Sequence, residues 1–321
     1  MAREDWTRTA PVLELGADEA HEMLRPALGD VSVLAFETLN GGHANTNIRV
    51  RLGTGSVVLR LYQRDPAQPR KEAAIARLVA GCVPAPAYLH CGVRADGQVY
   101  AVVEWIDGAP LQQRVGGASA AELNFAGREI GRALAAIHGF TFEKAGFLDG
   151  DLTVTPFPGG GFSSDFLEAT LAGIAGERLG RALAADVIAF AKANAPRLAA
   201  WTQPPRLTHF DFGSSNILVR DDFSLAGIID WEFAASASPP PDFGNLLRPP
   251  LGQSEAFVEG LEAGYRDGGG VLPADWRELV RIADLSAWAD LLSRPAASDA
   301  LIEDARQILR RTITPRGRAG S

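Results

Sequence analysis

Leu207-Thr208-His209-Phe210-Asp211-Phe212-Gly213-Ser214-Ser215-Asn216-Ile217-Leu218-Val219 is the stretch from which the rest of this chain is best read. It places Asp211 and Asn216 five residues apart, with His209 two residues ahead of the aspartate. After a turn at Asp221-Asp222 the chain continues as Gly227-Ile228-Ile229-Asp230-Trp231-Glu232, which sets a second aspartate at the end of an apolar run. Both apolar runs, Ile217–Val219 and 227–231, predict strands, with turn-forming residues between them.

Aspartate and asparagine oxygens are hard donors of the kind Mg²⁺ prefers, and that ion keeps waters and phosphate oxygens as its remaining ligands. Phosphoryl transfer asks a protein for little covalent chemistry. It needs a positioned hydroxyl, metal ions on the phosphates and neutralised charge. An aspartate that can accept a hydroxyl proton, an asparagine after it and a second aspartate on a nearby strand make such a set. The bland alternative is an Asp and an Asn making turn hydrogen bonds, and three such residues flanked by strands argue against it.

The pattern His209-x-Asp211-x4-Asn216 followed by Ile229-Asp230 resembles the aminoglycoside phosphotransferase and choline-kinase-like family, whose fold is that of protein kinases. The related kinase pattern is H-R-D-x-x-x-x-N. The resemblance implies Asp211 as catalytic base, Asn216 and Asp230 as metal ligands, and His209 as a structural brace of the loop. ATP and Mg²⁺ are the implied cofactors. Two literal D-F-G strings, Asp211-Phe212-Gly213 and Asp242-Phe243-Gly244, invite confusion with the kinase metal motif. The first lies inside the catalytic segment and the second follows Pro239-Pro240-Pro241, so Asp230 has the better context. Asp242 resembles the family's downstream aspartate, which steadies the catalytic loop by accepting backbone hydrogen bonds. It suits capping of a helix starting near Phe243 equally well.

Working outward, residues 32–62 predict three successive strands, ending near Leu39 and then at 47–52 and 57–62. A helix follows at 70–80, then a hairpin whose return strand is 99–106. Gly41-Gly42-His43-Ala44-Asn45-Thr46-Asn47 sits where a phosphate-covering loop would be expected, with Gly42, Asn45 and Thr46 as its contacts. Arg60 stands on an apolar strand. Glu72 shares a helix face with Ile75 and Val79, so it is expected to point inward and to need a cationic partner. Arg60 is the candidate. The pair resembles the kinase lysine–glutamate pair that holds the α- and β-phosphates, with arginine in the lysine position; a purely structural ion pair is the alternative. Lys71, one residue earlier, is expected to point elsewhere. Glu104 and Ile106 lie on a segment resembling the hinge that holds adenine. His138, at a helix end, suits a dipole or core role.

Asp107-Gly108-Ala109-Pro110 breaks the pattern, and residues beyond it read as helical. Ser119 and Glu122 form a capping-box signature ahead of an amphipathic helix at 120–138. The expectation is an α+β, protein-kinase-like two-lobed fold. Its small β-rich N-terminal lobe would hold nucleotide at 1–108, and its larger, mainly helical lobe at 109–321 would hold catalysis and acceptor.

The whole chain of 321 residues, 46% hydrophobic and 22% charged, suits a globular enzyme of two lobes. A net charge of -8 argues against a nucleic-acid partner. It suits a small-molecule hydroxyl acceptor that is cationic, without separating one from a neutral sugar or homoserine. Asp165, Glu168, Glu255, Glu259 and Glu262 are the acidic candidates for such an acceptor, against the simpler reading of solvated helix faces. No apolar run approaches the roughly 18 residues that span a bilayer. Two cysteines, Cys82 and Cys91, and a charged N-terminus without an apolar leader predict a cytoplasmic protein. G-x-S-x-G, H-E-x-x-H and Walker A patterns are absent, which leaves a catalytically degenerate nucleotide- or metabolite-binding protein as the alternative to a small-molecule kinase.

Overall fold

The computed structural model describes residues 11–39, 45–157, 164–201, 204–295 and 297–314. Helix α1 (Ala17–Leu28) leads into β1 (Val33–Thr38), β2 (Thr46–Leu52) and β3 (Gly55–Tyr62); α2 (Gln68–Val79), β4 (Tyr88–Val93) and β5 (Val99–Glu104) follow. The five strands form one antiparallel sheet in the order β1-β2-β3-β5-β4. Period-two alternation decides what each face carries. On β3, Val57, Leu59 and Leu61 are buried with Ala20, Met23 and Leu24 of α1. Val58 and Arg60 therefore face the other way, toward the large lobe. The sequence pattern gives little sign of helix α1, because its buried stripe is only three residues, Ala20, Met23 and Leu24.

The chain enters the large lobe through β6 (Ala109–Pro110) and the short helix α3 (Leu111–Arg114). β6 pairs with β10 (Ile217–Val219), which pairs in turn with β11 (Leu225–Ile228). A second small sheet has the order β8 (Val154–Pro156), β7 (Gly146–Leu148), β12 (Ala235–Ala237), β9 (Arg206–Thr208). The remainder is helical: α4 (Ala120–Ile137), α5 (Ser164–Ala172), α6 (Ile174–Leu179), α7 (Arg181–Trp201), α8 (Pro240–Leu246), α9 (Glu255–Asp267), α10 (Trp276–Ser293) and α11 (Asp299–Ile313).

The expected capping box is present: Ser119 Oγ accepts from the Glu122 N–H at 3.3 Å, and the Ser119 N–H donates to Glu122 Oε2 at 2.7 Å. Helices α4 and α9 pack with their backbones almost touching. A Cβ on Gly131 would lie 2.4 Å from the Leu261 carbonyl oxygen, and one on Gly264 would lie 2.0 Å from that of Arg128. One core cluster joins α2, α4, α9 and the small strands, while another joins α5, α6, α7, α10 and α11. Among the described residues no helix is long and apolar enough to cross a membrane.

Candidate active site

The loop between β9 and β10 carries His209, Asp211 and Asn216, and a buried carboxylate sets its shape. Asp242, fully buried in the first turn of α8, accepts the His209 N–H at 2.8 Å and the Phe210 N–H at 2.8 Å, one on each oxygen. Its side chain turns to this loop and does not cap its own helix. Phe210 sits between these bonds at φ 62°, a left-handed conformation that a bulky residue adopts only when its surroundings impose it. His138, at the end of α4, reaches Asp242 Oδ2 with Nε2 at 3.2 Å and lies 2.9 Å from the Tyr265 hydroxyl through Nδ1. It is a core residue. Burial pushes the Tyr265 hydroxyl above its ordinary range.

His209 is fully buried beneath Trp231, with ring centroids 4.6 Å apart. Its Nε2 lies 3.1 Å from the Ile229 carbonyl oxygen, which can only accept, so Nε2 carries the proton. Nδ1 then accepts the Asp211 N–H at 3.3 Å. The imidazole thus ties the Asp211 loop to Ile229, between β11 and Asp230.

Asp211 is held by two amides. Asn216 Nδ2 donates to Asp211 Oδ2 at 2.8 Å and to its carbonyl oxygen at 2.9 Å. Asn245 Nδ2 donates to Asp211 Oδ1 at 3.1 Å. Asn245 escaped the sequence reading, although its place three residues after Asp242 on one helix put it on the same side. Its own carbonyl accepts from Arg248 Nη1 at 3.2 Å. Arg248 pairs with Asp284 at 2.6 Å, and Trp288 Nε1 donates to Asp284 at 2.7 Å.

Across the cleft a second cluster gathers around Arg60. Asp230, in a left-handed conformation at φ 66° and ψ 63°, accepts from Arg60 Nη2 at 2.7 Å. The same Nη2 lies 3.4 Å from Glu232 and 3.5 Å from Glu72. Glu72 is fully buried; its Oε2 accepts from the Tyr62 hydroxyl at 3.2 Å and from the Tyr88 hydroxyl. Its Oε1 has no hydrogen-bond partner, and neither does Arg60 Nε. Burial pushes the Glu72 carboxyl up, while Arg60 pulls it back. Burial alone would lower Arg60, yet Glu72 and Asp230 hold it well above its ordinary value. Burial, and next the nearby Asp230, push Glu232 up to about 7. Donor atoms of Glu72, Asp230 and Glu232 all lie within 4.8 Å of one another, a hard-oxygen set of the kind a divalent cation binds.

Glu232 also accepts from Asn45 at 3.2 Å and from Gln68 at 2.7 Å. Lys71 does not point away: its ammonium donates to the Glu232 carbonyl at 3.0 Å, and burial lowers its pKa. Its long flexible stem overrides the helix-face argument. Thr46 requires a correction. It is fully buried at the start of β2, its hydroxyl donating to Gln63 at 3.0 Å and accepting from the Leu13 N–H at 3.1 Å, so it belongs to the small-lobe core. Gly42 lies outside the described residues. Glu104 and Ile106 line the cleft; Glu104 accepts from the Ala87 N–H at 3.1 Å. Ile106 packs where a side chain on Gly227 would be, 2.5 Å from an ideal Cβ.

Both clusters open into one cleft of about 1220 Å³ between the lobes. It runs from Glu104 and Ile106 past Asp211 to α10 and α11. None of Asp165, Glu168, Glu255, Glu259 and Glu262 lines it. Glu168 pairs with Lys192, Glu255 with Arg277 and Glu262 with Arg266 on the surface.

Residues 35–280 match the model of the phosphotransferase enzyme family. No curated protein matches the chain in sequence. Solved structures share its fold at low identity. Wild-type aminoglycoside 2'-phosphotransferase-IIIa in complex with GDP has a TM-score of 0.69 and 20% identity, over 93% of this chain and 99% of that one. A GDP and kanamycin complex of APH(2")-IIIa has a TM-score of 0.68 and 21% identity, over 91% and 97%. A thermostable mutant of aminoglycoside phosphotransferase APH(4)-Ia, in ternary complex with ADP and hygromycin B, has a TM-score of 0.67 and 19% identity, over 94% and 99%.

Proposed function

The chain belongs to the phosphotransferase enzyme family, and from that premise we propose that it transfers the γ-phosphate of ATP to a hydroxyl of a small molecule. The observation that carries this reading is the pairing of two clusters in one cleft. One is a carboxylate, Asp211, braced by Asn216 and Asn245. The other is the Arg60, Glu72, Asp230 and Glu232 group.

Asp211 accepts the acceptor's hydroxyl proton. The hydroxyl oxygen forms a bond to the γ-phosphorus while the bond to the β–γ bridging oxygen breaks, and ADP leaves with that electron pair. Arg60 Nε, buried without a hydrogen-bond partner, is a donor suited to a phosphate oxygen. Glu104 and Ile106 would flank the adenine, and Asn45 would adjoin the phosphates.

The carboxylate oxygens of Asp230 and its neighbours, with Glu72 Oε1 buried and without a hydrogen-bond donor, fit a Mg²⁺ ion. Asp230 and Asn216 would hold it, and when bound it neutralises phosphate charge. His209 and Asp242 act at one remove by fixing the loop. The solved structures of similar fold were obtained with GDP, ADP, kanamycin and hygromycin B, which supports a nucleotide and a hydroxylated acceptor, a cationic one included. A cytoplasmic setting remains part of this reading, with Cys82 and Cys91 as free thiols.

The test is ADP release from MgATP with a panel of hydroxylated acceptors. Asp211→Ala is expected to lower turnover on a responsive acceptor by roughly 100- to 10,000-fold, the range for losing a general base. Undiminished turnover would overturn the assignment. Tight MgATP binding with no turnover on any acceptor would favour a binding protein of the same fold.

A further inference from the structure

Beyond Asp211 the cleft is walled by rings. Phe147 on β7 is 52% exposed, although a phenyl side chain gains by leaving water. Its ring meets that of Phe157 edge-on, with centroids 4.7 Å apart. Phe157 in turn meets Phe210 edge-on at 6.2 Å, and Phe210 immediately precedes the base. All three line the cleft, and Leu291 and Leu301 line it from α10 and α11. Contiguous apolar surface of this kind is retained where a ligand covers it.

The charges on the same side are already matched. Asp284 is held by Arg248 at 2.6 Å and by the Trp288 indole at 2.7 Å. Asp290 pairs with Arg294 at 2.8 Å. The Arg248 guanidinium also lies over the Trp288 ring, 5.0 Å from its centroid. A polyammonium sugar entering here would compete with arginines for these carboxylates and would bring less apolar surface to cover the rings.

Resting on the phosphotransferase reading above, we propose that the acceptor is a hydroxylated molecule with a large apolar face. That face lies on Phe147, Phe157 and Phe210 while one hydroxyl reaches Asp211. A single amine on the acceptor is compatible with this site. A body made only of ammonium and hydroxyl groups would gain less from these rings. Ring stacking and burial would supply the acceptor's binding energy, and Asp211 would select the hydroxyl.

Matched acceptor pairs test the proposal: phenyl against methyl β-glucoside, and hexane-1,2-diol against glycerol, with kanamycin and hygromycin B as polycations. In MgATP-dependent ADP release, the apolar member of a pair is expected to show at least a tenfold higher kcat/KM. Phe147→Ala should remove most of that advantage through KM, and Phe147→Leu should retain it. Equal kcat/KM within both pairs would overturn the proposal. So would a preference for the polycations with a KM that Phe147→Ala leaves unchanged. If no acceptor turns over, calorimetric binding of phenyl β-glucoside to the MgATP-loaded protein decides. Binding that Phe147→Ala weakens supports the apolar site, and absence of binding overturns it. Failure of the wild-type protein to bind MgATP would instead count against the phosphotransferase reading itself.

Discussion

Asp211 can serve as a base only if one lone pair faces the incoming hydroxyl, and two amides decide how it faces. Asn216 donates to Oδ2 and Asn245 donates to Oδ1, one amide on each oxygen. Asn245 is itself oriented: the Arg248 guanidinium can bond only to its carbonyl oxygen, which turns the NH₂ toward Asp211. Removing that amide should let the carboxylate swing. Asn245→Ala is expected to lower kcat roughly 10- to 100-fold, the scale of a small misplacement, while KM for MgATP stays within about twofold. Steady-state kinetics with the nucleotide varied checks this. An unchanged kcat would remove Asn245 from the positioning role.

Helices α4 and α9 show what a whole element asks of its sequence. Gly127 and Gly131 on one, and Gly260 and Gly264 on the other, let the backbones meet where any side chain would collide. A Cβ at Gly260 would stand 2.1 Å from the Asn124 carbonyl oxygen, so the helices would have to move apart. Gly264→Ala is therefore expected to destabilise the fold by about 1–3 kcal/mol, the usual cost of overpacking. A urea titration would show this as a lower midpoint. Gly53→Ala, where nothing lies within 4 Å of the added carbon, should leave the midpoint nearly unchanged. Equal stability of Gly264→Ala and wild type would contradict the close packing.

At the scale of the molecule, the two lobes meet through the same charges that would meet ATP. Arg60, Asn45, Gln68 and Lys71 of the small lobe all reach Asp230 or Glu232 of the large one. A nucleotide bound between them should stabilise both lobes together. At a hundredfold excess over Kd, MgATP is expected to add about 2.7 kcal/mol, visible as a rise in Tm. EDTA should cancel most of that rise, and Asp230→Ala should abolish its dependence on magnesium. A rise that survives EDTA would show that nucleotide binding needs no metal, and a rise that still depends on magnesium in Asp230→Ala would place the metal elsewhere.

Most of the small-lobe elements and the local chemistry are legible in the sequence, helix α1 excepted. His209, Asp211, Asn216 and Asp230 announced themselves because their spacing and flanking strands are local properties. Glu72 could be oriented from helix period alone, through Ile75 and Val79. Thr46 could have been placed too: period two sets it with Ile48 and Val50 on the buried face of β2, while Asn45 and Asn47 face the cleft. Packing alone settles that Asn245 donates to Asp211, that Lys71 reaches Glu232, and that Phe147, Phe157 and Phe210 line one side of the cleft. Those contacts join residues 34, 161 and up to 53 positions apart. Such separations are closed by the packing of lobes and sheets, and a periodic pattern specifies a face without naming what will meet it.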